Sequence, residues 1–329
     1  MLNNDVIFSL DHSSFEQNCL TVFRQQYQNV SIYRRYVDLL KINPDSIHSV
    51  EEIPFIPVQF FKSDNIIADL SKSELIFTSS GTTSPLTSKH LVKDIAVYKE
   101  SFRTGFELFY GPVSDYCVLA LLPSYLERDG SSLIFMANDM IKNSGHDSSG
   151  FYLHELETLS RLLNDLNTKG QRTLLLGVTF ALLDLAEYFP VKSPLKNTIV
   201  METGGMKGKR KEMVREEVHT ILKKGLGQQL IHSEYGMTEL LSQAYSLGEG
   251  IFKCPPWMKI LIRETNDPLS LQQVAGRSGG INIIDLANIN SCSFIATQDL
   301  GKVFSDGSFE VLGRFDNSDI RGCNLLAEL

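Results

Sequence analysis

What the chain has little of narrows its class first. Its five cysteines, Cys19, Cys117, Cys254, Cys292 and Cys323, are an odd number with no close pair, which argues against both a disulfide framework and a zinc knuckle. Met1 to Asp5 carry no Lys or Arg, and charge interrupts the apolar stretches well short of the ~20 residues a membrane helix needs. The expectation is a soluble, unexported, cytoplasmic protein with reduced thiols and no integral membrane association. Positive charge is in the minority: 31 Lys and Arg against 39 Asp and Glu give a net charge of -8. Bulk attraction to nucleic acid or anionic lipid needs the opposite balance, so a small anionic substrate would need a local cradle. There is neither a Walker sequence nor a Gly-x-Gly-x-x-Gly fingerprint, and no internal repeat, low-complexity tract or flexible linker.

What is present is an ordinary globular composition, 43% hydrophobic and 21% charged over 329 residues, enough apolar material for a substantial core. The pattern reads as one domain, 1–329, in three parts. Residues 1–72 are helical, with Leu20, Phe23, Tyr27 and Val30 at helical spacing between Phe15 and Tyr36, and end in the Pro-punctuated loop Ile53-Pro54-Phe55-Ile56-Pro57. Residues 73–246 alternate short apolar runs (Leu75 to Phe77, Cys117 to Leu122, Thr173 to Val178, Thr198 to Met201, Gln229 to His232) with amphipathic stretches (Asp94 to Phe109, Leu153 to Leu166, Phe180 to Tyr188, Lys209 to Lys223). That alternation predicts βαβ units around a parallel-rich sheet flanked by helices. Residues 247–329 are β-rich, with a hairpin turning at Asp306-Gly307. The basic run Lys207, Lys209, Arg210, Lys211 and Arg215 is interrupted by Glu212, Glu216 and Glu217, which reads as a solvated helix face.

Three segments carry chemistry. Thr78-Ser79-Ser80-Gly81-Thr82-Thr83 follows a strand. Successive N–H groups and hydroxyls in such a turn can surround phosphate oxygens, although a Ser/Thr-rich surface loop has the same composition. Ser233-Glu234-Tyr235-Gly236-Met237-Thr238-Glu239 places a ring, a glycine, a hydroxyl and carboxylates at the carboxyl end of a strand, where open α/β sheets bind ligands. Tyr235 can stack on a purine and Glu239 can hold Mg²⁺, or they are a core tyrosine and a solvated carboxylate. The third segment pairs Thr297-Gln298-Asp299-Leu300-Gly301 with Gly313-Arg314-Phe315-Asp316. There, Asp299 suits the hydroxyls of a ribose and Arg314 suits phosphate or carboxylate; both are also ordinary residues beside a hairpin.

In this order the three segments resemble the core motifs of the adenylate-forming superfamily of acyl-CoA ligases, beetle luciferases and peptide-synthetase adenylation domains. The resemblance implies an α/β large-domain fold with a smaller β-rich C-terminal part. It also implies ATP and Mg²⁺ as cofactors. Thr78, Ser79, Ser80, Gly81, Thr82 and Thr83 would contact the phosphates, Tyr235 with Gly236 the adenine, and Thr238 the α-phosphate region. Glu239 would bind the metal, and Asp299 with Arg314 beside it the ribose. A finer resemblance, to LuxE-type acyl-protein synthetases of fatty acid reductase, rests on Ile53 to Pro57 with Phe60-Phe61-Lys62, Leu122-Pro123-Ser124-Tyr125-Leu126-Glu127-Arg128, Ser144-Gly145-His146 with Ser149 to Tyr152, and Asp319-Ile320-Arg321-Gly322-Cys323.

The chain stops at Leu329, so by the same resemblance the mobile C-terminal lid domain and its lysine are absent. Cys323 matches the family's acyl-accepting cysteine. A thiol near pKa 8.5 is about 3% ionised at pH 7, and Arg321 is two residues away to favour the thiolate; a small apolar filler is the alternative for Cys323. His146 can orient an acyl carboxylate or move a proton, or be a hydrogen-bonded structural histidine. The resemblance implies a fatty or other carboxylic acid as substrate and an acyl-protein reductase as partner, while the charge balance argues against nucleic acid. The rivals are an acyl or aryl acid:CoA ligase with a separate lid, a non-catalytic scaffold, and a serine hydrolase at Gly276-Arg277-Ser278-Gly279-Gly280. The last needs a strand before the serine and a helix after it, whereas Ile281-Asn282-Ile283-Ile284 reads as a strand.

Overall fold

The computed structural model describes residues 4–9, 14–69, 73–79, 87–123, 130–206, 209–211, 213–272 and 274–315. The chain divides into two compact units, Met1–Lys72 with Pro256–Leu329, and Ser73–Pro255.

The first unit opens with α1 (Asn4–Phe8), α2 (Phe15–Asn29) and α3 (Ser31–Leu39), followed by β1 (Ile56–Pro57) and α4 (Phe60–Ser63). The helix anticipated from Phe15 to Tyr36 is broken at Val30, whose backbone is extended at φ -102° and ψ 99°. The buried stripe of α2 is Phe15, Cys19, Val22, Phe23 and Gln26, so the anticipated Leu20 and Tyr27 lie beside it, half-buried. A periodic count misses this because it gives no weight to Cys19 and Gln26. The segment read as a Pro-rich loop contains β1. The Tyr33 hydroxyl donates to the Pro54 carbonyl at 2.7 Å and that of Tyr36 to Phe55 at 3.0 Å, satisfying carbonyls that neighbouring prolines cannot help pair.

The second unit begins with the antiparallel pair β2 (Leu75–Thr78) and β3 (Lys89–Val92). It continues through α5 (Ile95–Tyr110), β4 (Cys117–Leu121), α6 (Ser132–Ser144), β5 (Gly150–Phe151), α7 (Leu156–Thr168), β6 (Thr173–Val178), α8 (Thr179–Tyr188), β7 (Thr198–Thr203), α9 (Arg215–Leu226), β8 (His232–Tyr235), β9 (Ala244–Ser246) and β10 (Ile251–Lys253). The sheet order is β10-β9-β8-β7-β6-β4-β5. From β8 to β5 every pairing is parallel, whereas β9 and β10 are antiparallel. All residues of β4 and β6 are buried, as expected for parallel strands covered on both faces. Helix ends follow local chemistry: the Asp94 side chain accepts from the Ala96 N–H at the start of α5, and Gly145 and Gly227 end α6 and α9 in the left-handed conformation, which glycine adopts without a Cβ clash.

Two boundaries differ from the sequence reading, and both bear on function. The strand expected at Gln229 to His232 runs instead from His232 to Tyr235, because β8 pairs with β7 through His232, Ser233 and Glu234. Helix α9 starts at Arg215, so Lys209, Arg210 and Lys211 are not on a solvated helix face. Arg210 instead pairs with Asp184 and, at 2.8 Å, with Glu187.

The chain then supplies the first unit with β11 (Met258–Arg263), β12 (Gly279–Asp285), β13 (Phe294–Val303) and β14 (Phe309–Arg314), antiparallel in that order. Strand β1 lies parallel to β13 with Ile56 opposite Ile295. The expected hairpin turns at Asp306-Gly307, with Gly307 at φ 81° and the Phe304 N–H bonded to the Ser308 carbonyl at 2.8 Å. Gln26 ties α2 to the β12–β13 connection: its amide donates to the Asn288 carbonyl at 2.9 Å and accepts from the Ser293 N–H at 2.9 Å. Ser278 precedes β12 with no helix following, which removes the strand–serine–helix context a hydrolase nucleophile needs. Among the described residues, no helix is long and apolar enough to cross a membrane.

Candidate functional site

In the second unit the functional side chains gather at the carboxyl ends of β7 and β8. Strand β8 ends at Tyr235, so the ring of Tyr235 stands at the edge of the ladder rather than in the core. Half-buried, it meets Phe252 edge-on at 6.0 Å. Gly236 to Glu239 then leave the sheet in a turn closed by the Leu240 N–H on the Met237 carbonyl at 3.1 Å. Gly236 and Thr238 are accessible, whereas Glu239 is 5% exposed.

The turn is braced from below by buried carboxylates. Glu234 accepts a short hydrogen bond from the Thr203 hydroxyl, and a Cβ at Gly236 would stand 2.4 Å from Glu234 Oε1; a glycine is required there by close approach. Glu202, one position earlier on β7, accepts from the Thr179 hydroxyl at 3.0 Å and lies 3.7 Å from His219 Nε2 and 3.9 Å from Arg215 Nε. Burial pushes its carboxyl up, but the neighbouring His219 and Ser233 side chains and the Arg215 charge outweigh that and hold it below the usual range. Both carboxylates are thus satisfied, as buried charge requires.

The hydroxyl-rich segment leaves β2 at Thr78. The Thr78 N–H donates to the Gly130 carbonyl at 2.7 Å, the Ser79 N–H to the Ser88 carbonyl at 3.1 Å, and the Ser88 N–H to Ser79 Oγ at 2.9 Å. Phe77 packs edge-on against Tyr98 at 5.2 Å and Phe135 at 5.8 Å, anchoring β2 to α5 and α6. Ser80, Gly81, Thr82 and Thr83 lie outside the described residues.

Sequence reasoning missed His90. It lies on β3 opposite Phe77, is 1% exposed, and its Nδ1 is 2.9 Å from the Thr238 carbonyl oxygen. Burial holds its pKa down to about 4, against the opposing pull of that hydrogen bond, so the ring is neutral at pH 7. The available signal was a histidine followed by Leu91 and Val92, seven positions after Thr83.

In the first unit, Asp299 and Arg314 face each other across β13 and β14, with Arg314 Nε 3.5 Å from Asp299 Oδ1. The Asp299 carboxylate is mostly covered while Arg314 is largely open, at 14% and 70% side-chain exposure. Arg263, also missed from sequence, is buried behind them. Its guanidinium donates to the Ile281 carbonyl at 2.7 Å, Asn282 Oδ1 at 2.9 Å and the Thr297 carbonyl at 2.6 Å. Burial lowers its pKa, opposed by the Asp299 charge.

His146 is not brought to these residues. Its Nδ1 accepts from the Ser148 N–H at 3.1 Å in a turn after α6. Ser149 in the same turn bonds the Val118 N–H at 2.9 Å, so His146 sits at the amino end of β4, the opposite sheet edge from Tyr235. Cys323 lies outside the described residues.

The fold and the strand-end site define a class: the chain has the fold of the adenylate-forming ligases. The ATP-bound MatB structure from Rhodopseudomonas palustris matches with a TM-score of 0.55 at 17% identity, covering 75% of this chain and 49% of that one. The structure of 2-hydroxyisobutyryl-CoA ligase in complex with 2-HIB-AMP and CoA in the thioesterification state matches at 0.62 and 11% identity, covering 96% and 73%. The chain therefore spans about half the length of MatB. More specifically, residues 6–114 match the family model described as acyl-protein synthetase, LuxE. No curated protein matches the chain.

Proposed function

We propose that the protein uses ATP to convert a carboxylic acid, in our reading a fatty acid, to an acyl-adenylate, and then transfers the acyl group to the thiol of Cys323 for delivery to a reductase partner. The observation that carries the reading is the Tyr235–Glu239 turn, seated at the carboxyl edge of a parallel sheet in this fold and bonded through His90 to the strand that follows the hydroxyl-rich segment. Such an edge is where open α/β sheets place ligands.

In this reading Thr78, Ser79, Ser80, Gly81, Thr82 and Thr83 hold phosphate oxygens, and Tyr235 with Gly236 takes the adenine. Thr238 lies against the α-phosphate, and Asp299 with Arg314 takes the ribose. Mg²⁺ needs only one or two protein carboxylates when phosphate oxygens complete its shell. In this reading Glu239, on the turn, would supply that carboxylate. A bound Mg²⁺ would there neutralise phosphate charge.

The acid's carboxylate oxygen attacks the α-phosphorus, and the bond to pyrophosphate breaks with its electron pair leaving on pyrophosphate. The Cys323 thiolate, its proton lost to solvent, then attacks the acyl carbonyl, forming a thioester as AMP departs. The likeness to a CoA ligase over most of the chain supports a second reading, in which coenzyme A is the acceptor.

The test incubates the protein with Mg·ATP and a labelled fatty acid. Protein-bound label that requires ATP, is released by neutral hydroxylamine and is lost in Cys323→Ala is the expected result. Acyl-AMP formed without retained label would overturn the cysteine acceptor, and an acyl-CoA product on adding coenzyme A would favour the second reading.

A further inference from the structure

We propose that His90 is a positioning residue that holds the Gly236–Glu239 turn to the strand leaving the hydroxyl-rich segment, so that the two ligand-facing elements of the second unit keep one geometry. For its kinetic consequence the proposal rests on the acid-activating reading above.

The bond joins residues 148 positions apart. Its direction follows from chemistry: a carbonyl oxygen only accepts, so His90 Nδ1 carries the proton and donates. His90 sits in the ladder opposite Phe77, one pair from Thr78–Lys89, and the Ser79–Ser88 hydrogen bonds stiffen the same ribbon. The ribbon is thus a rigid post, itself packed on α5 and α6 through Phe77. On the other side the turn has an internal hydrogen bond from the Leu240 N–H to the Met237 carbonyl, and the imidazole meets it at Thr238, between Met237 and Glu239. Burying an imidazole costs desolvation that a leucine would not incur, and the bond to Thr238 offsets part of that cost while tying the turn to the ribbon. The side chains on either side of the bonded carbonyl are those of Thr238 and Glu239, so fixing it orients both.

The experiment compares wild type with H90N and H90L in the full-length protein. Asparagine Nδ2 overlays imidazole Nδ1 and can donate to the same carbonyl; leucine fills the space without donating. Two readouts are taken: ATP–pyrophosphate exchange with a panel of carboxylic acids, and backbone hydrogen exchange of the peptide spanning 236–241, with α5 and β6 as internal references. For H90L we expect kcat of exchange to fall at least tenfold with KM for the acid unchanged, and the 236–241 amides to exchange at least tenfold faster while α5 and β6 stay protected. H90N should stay within threefold of wild type in both. Equal effects of the two variants, unchanged protection of 236–241 in H90L, or loosening that extends to α5 and β6 would overturn the proposal. If wild type shows no pyrophosphate exchange with any acid, the acid-activating reading fails, and the loop protection still decides the role of His90.

Discussion

At the scale of single residues, the site depends on a carboxylate wedged under a turn. Glu234 fills the space where a Cβ of residue 236 would stand, 2.4 Å from Oε1, and it cannot swing away without breaking its bond to Thr203. Gly236→Ala should therefore displace a buried, hydrogen-bonded charge. Losing such a bond costs about 1.5–3 kcal/mol, which should appear as a lowered urea midpoint together with an ATP KM raised about tenfold or more. An alanine variant with wild-type stability and ATP dependence would mean that Glu234 has another resting place. The residues legible from sequence at this scale were those in runs of unusual chemistry, such as Tyr235 to Glu239. His90 and Arg263 were not, because each stands alone in an apolar strand and acquires its partners only from distant segments.

At the scale of elements, close approach of backbones sets which helices can pair. Gly225 in α9 lies against α8: a Cβ there would come within 2.4 Å of the Ala186 carbonyl oxygen and 2.6 Å of its Cβ. An isolated helix would gain about 0.5–1 kcal/mol from Gly→Ala, whereas overpacking a tight contact costs about 1–3 kcal/mol. Gly225→Ala is thus expected to destabilise by about 1–2 kcal/mol in urea denaturation, the opposite sign to helix propensity; a stabilised variant would show that the two helices can part freely. Most elements of the α/β region were readable, since β4 and β6 are continuous apolar runs and α5 is marked by Asp94 and Gly111 at its ends. The start of β8 was misread because Leu230 and Ile231 look like strand, yet the ladder with β7 takes the polar His232, Ser233 and Glu234, and the buried Glu234 finds the Thr203 hydroxyl on β7.

At the scale of the whole molecule, the buried His90 and Glu202 make stability fall on the acid side of neutrality. The unfolded chain protonates His90 near pH 6.5, whereas the folded chain resists until about 4, so between these values the unfolded state binds more protons and stability falls as the pH is lowered. For His90 alone this amounts to about 2 kcal/mol between pH 7 and 5, at 1.36 kcal/mol per pKa unit. Glu202, whose carboxyl is held below its ordinary range, contributes stability above its unfolded pKa and loses it as pH falls through the folded value. Both losses lie on the acid side. Urea midpoints should fall from pH 7 to pH 5, and the fall should be smaller in H90L; an equal fall in both proteins would assign the acid sensitivity elsewhere, His232 being the next group lowered by burial.

Local chemistry, which is written in consecutive residues, was determined by the sequence alone: the acidic charge balance, the alternation that makes a parallel-rich sheet with helices, the hairpin at Asp306-Gly307, and the runs around Thr78, Tyr235 and Asp299. Tertiary structure alone decided what those residues meet. It gave Thr238 the imidazole of His90, set Glu234 under Gly236, bound Arg263 to the carbonyls of Ile281 and Thr297, put His146 at the far edge of the sheet, and brought β11 to β14 into one unit with the N-terminal helices. The reason is physical: periodicity and turn chemistry act over a few residues, whereas pairing a buried polar group depends on which distant segment the folded sheet brings within about 3 Å.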